Sequence, residues 1–142
     1  MQDRPDLKEL IESVRRFLEE EVVPVAGDPR LRFRARVAAN VLAVAARERE
    51  LEETLLREER RRLADVIAPG ASAVAGPEVA VSTADLRCQV EALNGELARR
   101  IRAGTIAAGP GSPAWEHVRK TAAEKLLVAN PARLRRSPEQ PS

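Results

Sequence analysis

At 142 residues the chain has the length of one ordinary domain, and with aromatics at 2% its core has to be built from Leu, Val, Ile and Ala. The 24 Lys and Arg face 22 Asp and Glu, a balance interleaved along the chain that describes a solvated surface and not the basic field of a nucleic-acid binder. A single cysteine, Cys88, cannot close an intramolecular disulfide, and no run approaches the roughly 18 apolar residues of a membrane span, so a cytoplasmic protein is expected.

No alternating run of Val, Ile, Thr and rings marks a strand, and a ring-poor apolar fraction suits closely packed helices. The expected fold class is all-α, a single-domain bundle of about four to five helices over residues 1–131, with residues 132–142 as a flexible tail. Residues 1–22 alternate charged and apolar at helical spacing, unlike the unbroken apolar core of a secretory signal.

The first expected helix reads DLKELIESVRRFLEEEV. Leu7, Leu10, Ile11, Val14, Phe17, Leu18 and Val22 fall on one face, Asp6 and Glu9 form a capping box with Asp3 before Pro5 as an alternative cap, and Pro24 and the Gly27-Asp28-Pro29 turn end it. The second starts near Arg30 and runs through VAANVLAVAA, apolar all the way round except for Asn40, which predicts a central helix with neighbours on most sides. Beyond Ala46 a narrower stripe of Leu51, Leu55, Leu56, Leu63, Val66 and Ile67 continues, as the same helix or as another after a bend near residues 50–54.

Residues 69–81 read as a Gly/Pro-punctuated loop. Ser82 and Asp85 then cap a helix through Leu86, Val90, Leu93, Leu97 and Ile101, with Gly104 as its stop. Ser112-Pro113 opens the last helix, whose stripe is Trp115, Val118, Ala122, Leu126 and Ala129, and Asn130-Pro131 closes it.

Catalytic sets are hard to assemble from these residues. His117 and Cys88 lie on different helices, which leaves no His/Cys zinc cluster within the chain, and a lone helical cysteine reads as a small core residue. Glu19, Glu20 and Glu21 point about 100° apart, and Glu52, Glu53, Glu58 and Glu59 sit among arginines at ion-pairing distance along a helix. The glycines of GPGSP lack the lysine of a phosphate loop, and two Phe with one Trp give no stacking platform for single strands. No catalytic residue, metal or cofactor is expected.

Asn40 poses the sharper question. Buried without partners, an amide costs about 2–7 kcal/mol, so it is either an internal tether or a group that meets another protein. Phe33, Arg36, Val37, Asn40, Val44 and Arg47 share one side of the helix, a mixture of ring, apolar groups and guanidinium enriched at interfaces. Lys125, Asn130 and Pro131 form a second polar cluster, with snorkelling lysine and helix stop as its simpler reading.

DRPD at 3–6, RFRARVAAN at 32–40, LN at 93–94, IRAG at 101–104 and KLLVANP at 125–131 together resemble a bacterial family of small helical proteins, formally a domain of unknown function. Its members are encoded beside, or fused to, aminoglycoside-phosphotransferase-like kinases and near acyl-CoA dehydrogenases. The resemblance implies an accessory subunit of a kinase that phosphorylates a 4-hydroxyacyl-CoA, with ATP and Mg²⁺ belonging to the kinase. It carries no catalytic residue. On it, Arg32, Phe33, Arg36, Asn40, Arg47, Lys125 and Asn130 are the candidate partner-binding residues, with Arg32 and Arg36 candidates to meet phosphates held by the kinase. The chain departs from the family pattern at Arg34, where relatives often carry His, and after Gly104, where they carry an acid and this chain has Thr105. Two alternatives stand beside this: a small ligand-binding protein or enzyme with a polar pocket around Arg36, Asn40 and Lys125, and a self-associating homo-oligomer.

Overall fold

The computed structural model describes residues 5–70 and 81–134, and every regular element among them is helical, as the composition implies. The chain divides into two compact units, Met1–Leu51 and Glu52–Ser142.

The first unit opens with α1 (Leu7–Arg16), started by the expected capping box: the Asp6 carboxylate accepts from the Glu9 amide at 2.8 Å and Glu9 accepts from the Asp6 amide at 2.9 Å. The helix runs on through a π-helical segment, Phe17–Val22, into a closing turn, α2 (Val23–Val25). Pro24 has no amide hydrogen and its ring crowds the carbonyl four residues back. The wider register accommodates it, and the Val23 amide reaches back five residues to the Leu18 carbonyl. α3 (Pro29–Ile67) follows, with the Asp28 carboxylate accepting from the Arg30 amide at 3.0 Å. It is one unbroken helix, which settles the bend left open at residues 50–54. Within the unit, Lys8 Nζ meets Glu50 at 3.1 Å and the Arg32 guanidinium donates to the Ala26 carbonyl at 2.7 Å. Early on α1, Lys8 thus meets Glu50 past the middle of α3, and the end of α2 meets the start of α3, an antiparallel hairpin.

The residues this hairpin buries are small: Ala26, Ala35 and Ala39. The expectation of a central helix surrounded on most sides is therefore corrected, because Phe33, Val37 and Val41 on α3 are exposed. Alanines let α3 be approached closely on one side, and the large apolar groups stand on the other. The stripe expected on α1 is likewise split, with Ile11, Leu18 and Val22 half-buried while Leu7, Leu10, Val14 and Phe17 are exposed.

The second unit packs the rest of α3 with α4 (Thr83–Arg102) and α5 (Pro113–Ala129) around Leu63, Val90, Leu97 and Ala114, to which Leu56, Ile67, Leu93 and Ile101 add. Glu52 pairs with Arg87, Arg60 Nη1 meets Gln89 at 2.9 Å, Glu59 accepts from Asn94 at 3.2 Å, and Arg100 Nη1 reaches the Ile67 carbonyl at 2.9 Å. From first to last these ties advance along both helices, so α3 and α4 run parallel. Glu52 and Glu59 therefore reach across to α4, where pairing along their own helix was expected; Glu53 does pair with Arg57 on α3, at 2.9 Å.

Three helix boundaries follow from local chemistry. Ser82 Oγ accepts from the Asp85 amide at 3.1 Å, and Ser112 Oγ accepts from the Trp115 amide at 3.2 Å. α4 ends in a left-handed Gly104 at φ +73°, with Gly104 N–H on the Ile101 carbonyl and Thr105 N–H on the Arg100 carbonyl, the paired bonds of a Schellman stop. Asn130 terminates α5, and Pro131 opens one further turn, α6 (Pro131–Leu134). The expected cap at Asp3, most of the 69–81 loop and residues 135–142 of the expected tail lie outside the described residues.

Candidate functional site

In the first unit the candidates read from sequence all lie on α3, with Phe33 (69%), Arg36 and Asn40 exposed. The internal-tether reading of Asn40 is thereby removed, because an exposed amide is satisfied by solvent and needs no partner inside the fold. Arg32 plays a structural part, since its Nε and Nη2 both donate to the Ala26 carbonyl, at 3.2 and 2.7 Å, and so hold a carbonyl that α2 leaves open at its end. Arg47 is half-buried. The glutamates that looked like a cluster on the first helix are separately engaged, Glu19 with Arg15 and Glu20 with Arg16.

In the second unit the polar centre is one the sequence did not single out. Arg62 forms a bidentate pair with Glu124, one arm at 2.8 Å, and Nη2 also reaches Thr121 Oγ1 at 3.4 Å. Their side chains are only 15% and 13% exposed. His117 is buried beside this seam, and its Nδ1, like Arg62 Nε, has no hydrogen-bond partner among the described residues. Burial holds the His117 imidazole below its ordinary pKa, the Arg62 cation pushes the same way, and Glu59 and Glu124 oppose both. His117 is therefore a neutral imidazole near neutral pH. It lines an open cleft of about 510 Å³ with Arg62, Val66, Pro113, Lys120 and Ala123. Among the described residues no three His, Cys, Asp or Glu side chains come together as metal ligands.

This seam inverts α5. The buried positions are Ala114 and His117, with Thr121, Glu124 and Val128 half-buried, while Trp115, Val118, Ala122, Leu126 and Ala129, the expected core stripe, are exposed. The correction has a physical cause: the Arg62–Glu124 pair locks the polar side of α5 against α3, and the apolar side turns to solvent. Cys88, expected in the core, is exposed on α4. Lys125 is exposed on α5, and Asn130 acts as its C-cap, with its amide on the Leu126 carbonyl at 2.7 Å. The structure thus groups Arg32, Phe33, Arg36, Asn40 and Arg47 on α3 in one unit, and Lys125 and Asn130 beside the outward apolar side of α5 in the other.

No signal in hydropathy marks the seam. Ala114, His117, Thr121, Glu124 and Val128 recur at three- and four-residue steps, and only a search for polar residues at core spacing would have found them. Among the described residues no helix is long and apolar enough to cross a membrane. Comparisons with curated proteins and with solved structures give no match. A family model does match, over residues 25–133, a span that takes in α3, α4, α5 and both exposed apolar surfaces. The chain belongs to that family, described as a domain of unknown function (DUF6285).

Proposed function

We propose that this protein is a non-catalytic accessory subunit that binds and stabilises or activates an aminoglycoside-phosphotransferase-like kinase acting on hydroxyacyl-CoA in acyl-CoA catabolism. The motif resemblance supplies the identity of the partner. The observation that carries the binding role is the outward side of α5, where Trp115 is 45%, Val118 56% and Leu126 40% exposed. Large apolar groups gathered on one helix face within a chain of 32% charged residues are the pattern of a surface that another protein covers. Lys125 and Asn130 flank it with polar groups. Nucleotide and Mg²⁺ chemistry belongs to the partner in this reading.

The test begins with affinity purification of the tagged protein from its native host, followed by mass spectrometry. A near-stoichiometric phosphotransferase-like kinase is the expected result, and its activity should fall when this chain is left out. Trp115→Ser with Val118→Ser should abolish recovery of the kinase while leaving the isolated fold intact, because neither side chain is buried. A kinase at full rate without this protein overturns the proposal. A chain recovered alone, whose melting temperature rises with an added small molecule, would favour a ligand-binding role instead.

A further inference from the structure

One side of α3 in the first unit combines large exposed apolar groups with an uneven distribution of charge. Phe33, Val37 and Val41 are 69%, 45% and 58% exposed. Residues advance about 100° along a helix, so these share a side with Asn40 and half-buried Val44, opposite the buried Ala35 and Ala39. Arg30 and Glu48 fall on the same open side, one towards each end of the strip. Other charges nearby on α3 are engaged elsewhere, Arg32 with the Ala26 carbonyl, Glu50 with Lys8, Glu52 with Arg87 and Glu53 with Arg57. Among the described residues neither the Arg30 guanidinium nor the Glu48 carboxylate has an ion-pair partner.

We propose that this strip is a homodimer interface, in which α3 of a second copy packs antiparallel with the two-fold axis crossing the strip at the level of residue 39. Each position then faces the one equally far beyond the axis. Val37 meets the partner's Val41, Arg30 meets the partner's Glu48, and both contacts occur twice. A parallel arrangement would set arginine against arginine and glutamate against glutamate, so the charge pattern selects direction as well as partner. The occupant is a second copy because the fit is to itself: unpaired Arg30 at one end of the strip complements unpaired Glu48 at the other, with the apolar groups between them. Asn40 lies close to the axis, where its amide donates and accepts towards its own copy. A lone polar residue in an apolar seam fixes register at a cost in stability. This interface is separate from the α5 surface assigned to the kinase and does not depend on that assignment.

The test uses the full chain in sedimentation velocity over a concentration series. The wild type is expected to dimerise. Arg30→Glu and Glu48→Arg each place like charges together at two points and should each weaken the dimer on the order of tenfold, while the double variant should restore it. Both residues are exposed, and unchanged helical circular dichroism would confirm that the variants fold. A monomer at every concentration overturns the proposal. So does a dimer indifferent to the single reversals, which a parallel arrangement or a different face would give, and so does a double variant no better than the singles.

Discussion

The two units bury apolar residues of different size. The second buries Leu63 and Leu86 completely, with Val90 and Leu97 nearly so, and adds a polar seam of Arg62, Glu124 and His117. The first buries Ala26, Ala35 and Ala39 and leaves Leu7, Leu10, Val14, Phe17, Phe33, Val37 and Val41 exposed. Burying a large aliphatic side chain contributes about 1.5–3 kcal/mol, and burying an alanine much less. In the first unit the capping box, the Lys8–Glu50 pair and the Arg32 bond to Ala26 accompany these small buried residues, while its large apolar groups remain available to another surface. Large apolar groups fill the core of the second unit; in the first the buried positions go to alanine, and Ile11, Leu18 and Val22 are half-buried.

The contrast breaks most sharply at the seam. Arg62→Ala leaves the Glu124 carboxylate partly buried without its bidentate partner, and removal of one member of a buried pair costs about 3–5 kcal/mol. Urea denaturation should show that loss, and replacing Arg62 and Glu124 together by Leu should recover much of it. A small loss from Arg62→Ala alone would mean that solvent already reaches Glu124. Leu63→Ala is expected to cost about 2–5 kcal/mol, as a cavity in a packed core does. The matching truncation in the first unit, Phe33→Ala, should fall within about 0.5 kcal/mol for the monomer, because Phe33 packs against little. Equal losses from the two truncations would erase the distinction between the units.

The distinction also has a pH signature. His117 is held below its ordinary value in the folded chain by burial and by Arg62. The unfolded chain therefore takes up this proton first as pH falls. The contribution is whole above about pH 6.5 and declines below it, until the folded imidazole titrates too. Denaturation midpoints should fall between about pH 7.5 and about pH 5.5, with a slope no steeper than about 1.4 kcal/mol per pH unit, and His117→Gln should flatten the profile. Glu12 and Glu96 are shifted in the opposite sense, each lowered first by a hydrogen-bonding arginine, Arg15 and Arg99 respectively. Their stabilisation is present above the ordinary carboxylate range and lost beneath it, so it leaves the histidine window clear.

The elements whose ends rest on local chemistry were legible in the sequence. Asp6 with Glu9, Ser82 with Asp85, Ser112 before Pro113 and Gly104 each act within a few residues of themselves, and each stands where spacing placed it. Which side of a helix is buried was legible only where one apolar stripe had no rival, as along Leu86, Val90 and Leu97 on α4. On α5 two stripes compete, and the apolar one loses because Arg62, some 60 residues away, finds Glu124. Periodicity counts hydrophobic residues and is blind to a buried ion pair. On α3 the sequence shows apolar character all round, but whether neighbours exist to cover it is a property of the rest of the chain. That is why Asn40 looked central and stands outside.

Asn40 gives the smallest expected effect and the finest test of the comparison. As an exposed residue it satisfies its amide in water, so Asn40→Leu should move monomer stability by no more than about 0.5 kcal/mol. An internal tether would instead lose about 1–3 kcal/mol, since its partner groups would be left unpaired. The same substitution widens the apolar strip of Phe33, Val37 and Val41. Its consequence should therefore appear in association and not in folding: Asn40→Leu should self-associate more tightly and with looser definition of oligomer size, seen as a broadened distribution in sedimentation velocity. A residue silent in denaturation and audible in association belongs to the surface the first unit keeps for binding, whereas one that moved both equally would belong to its interior.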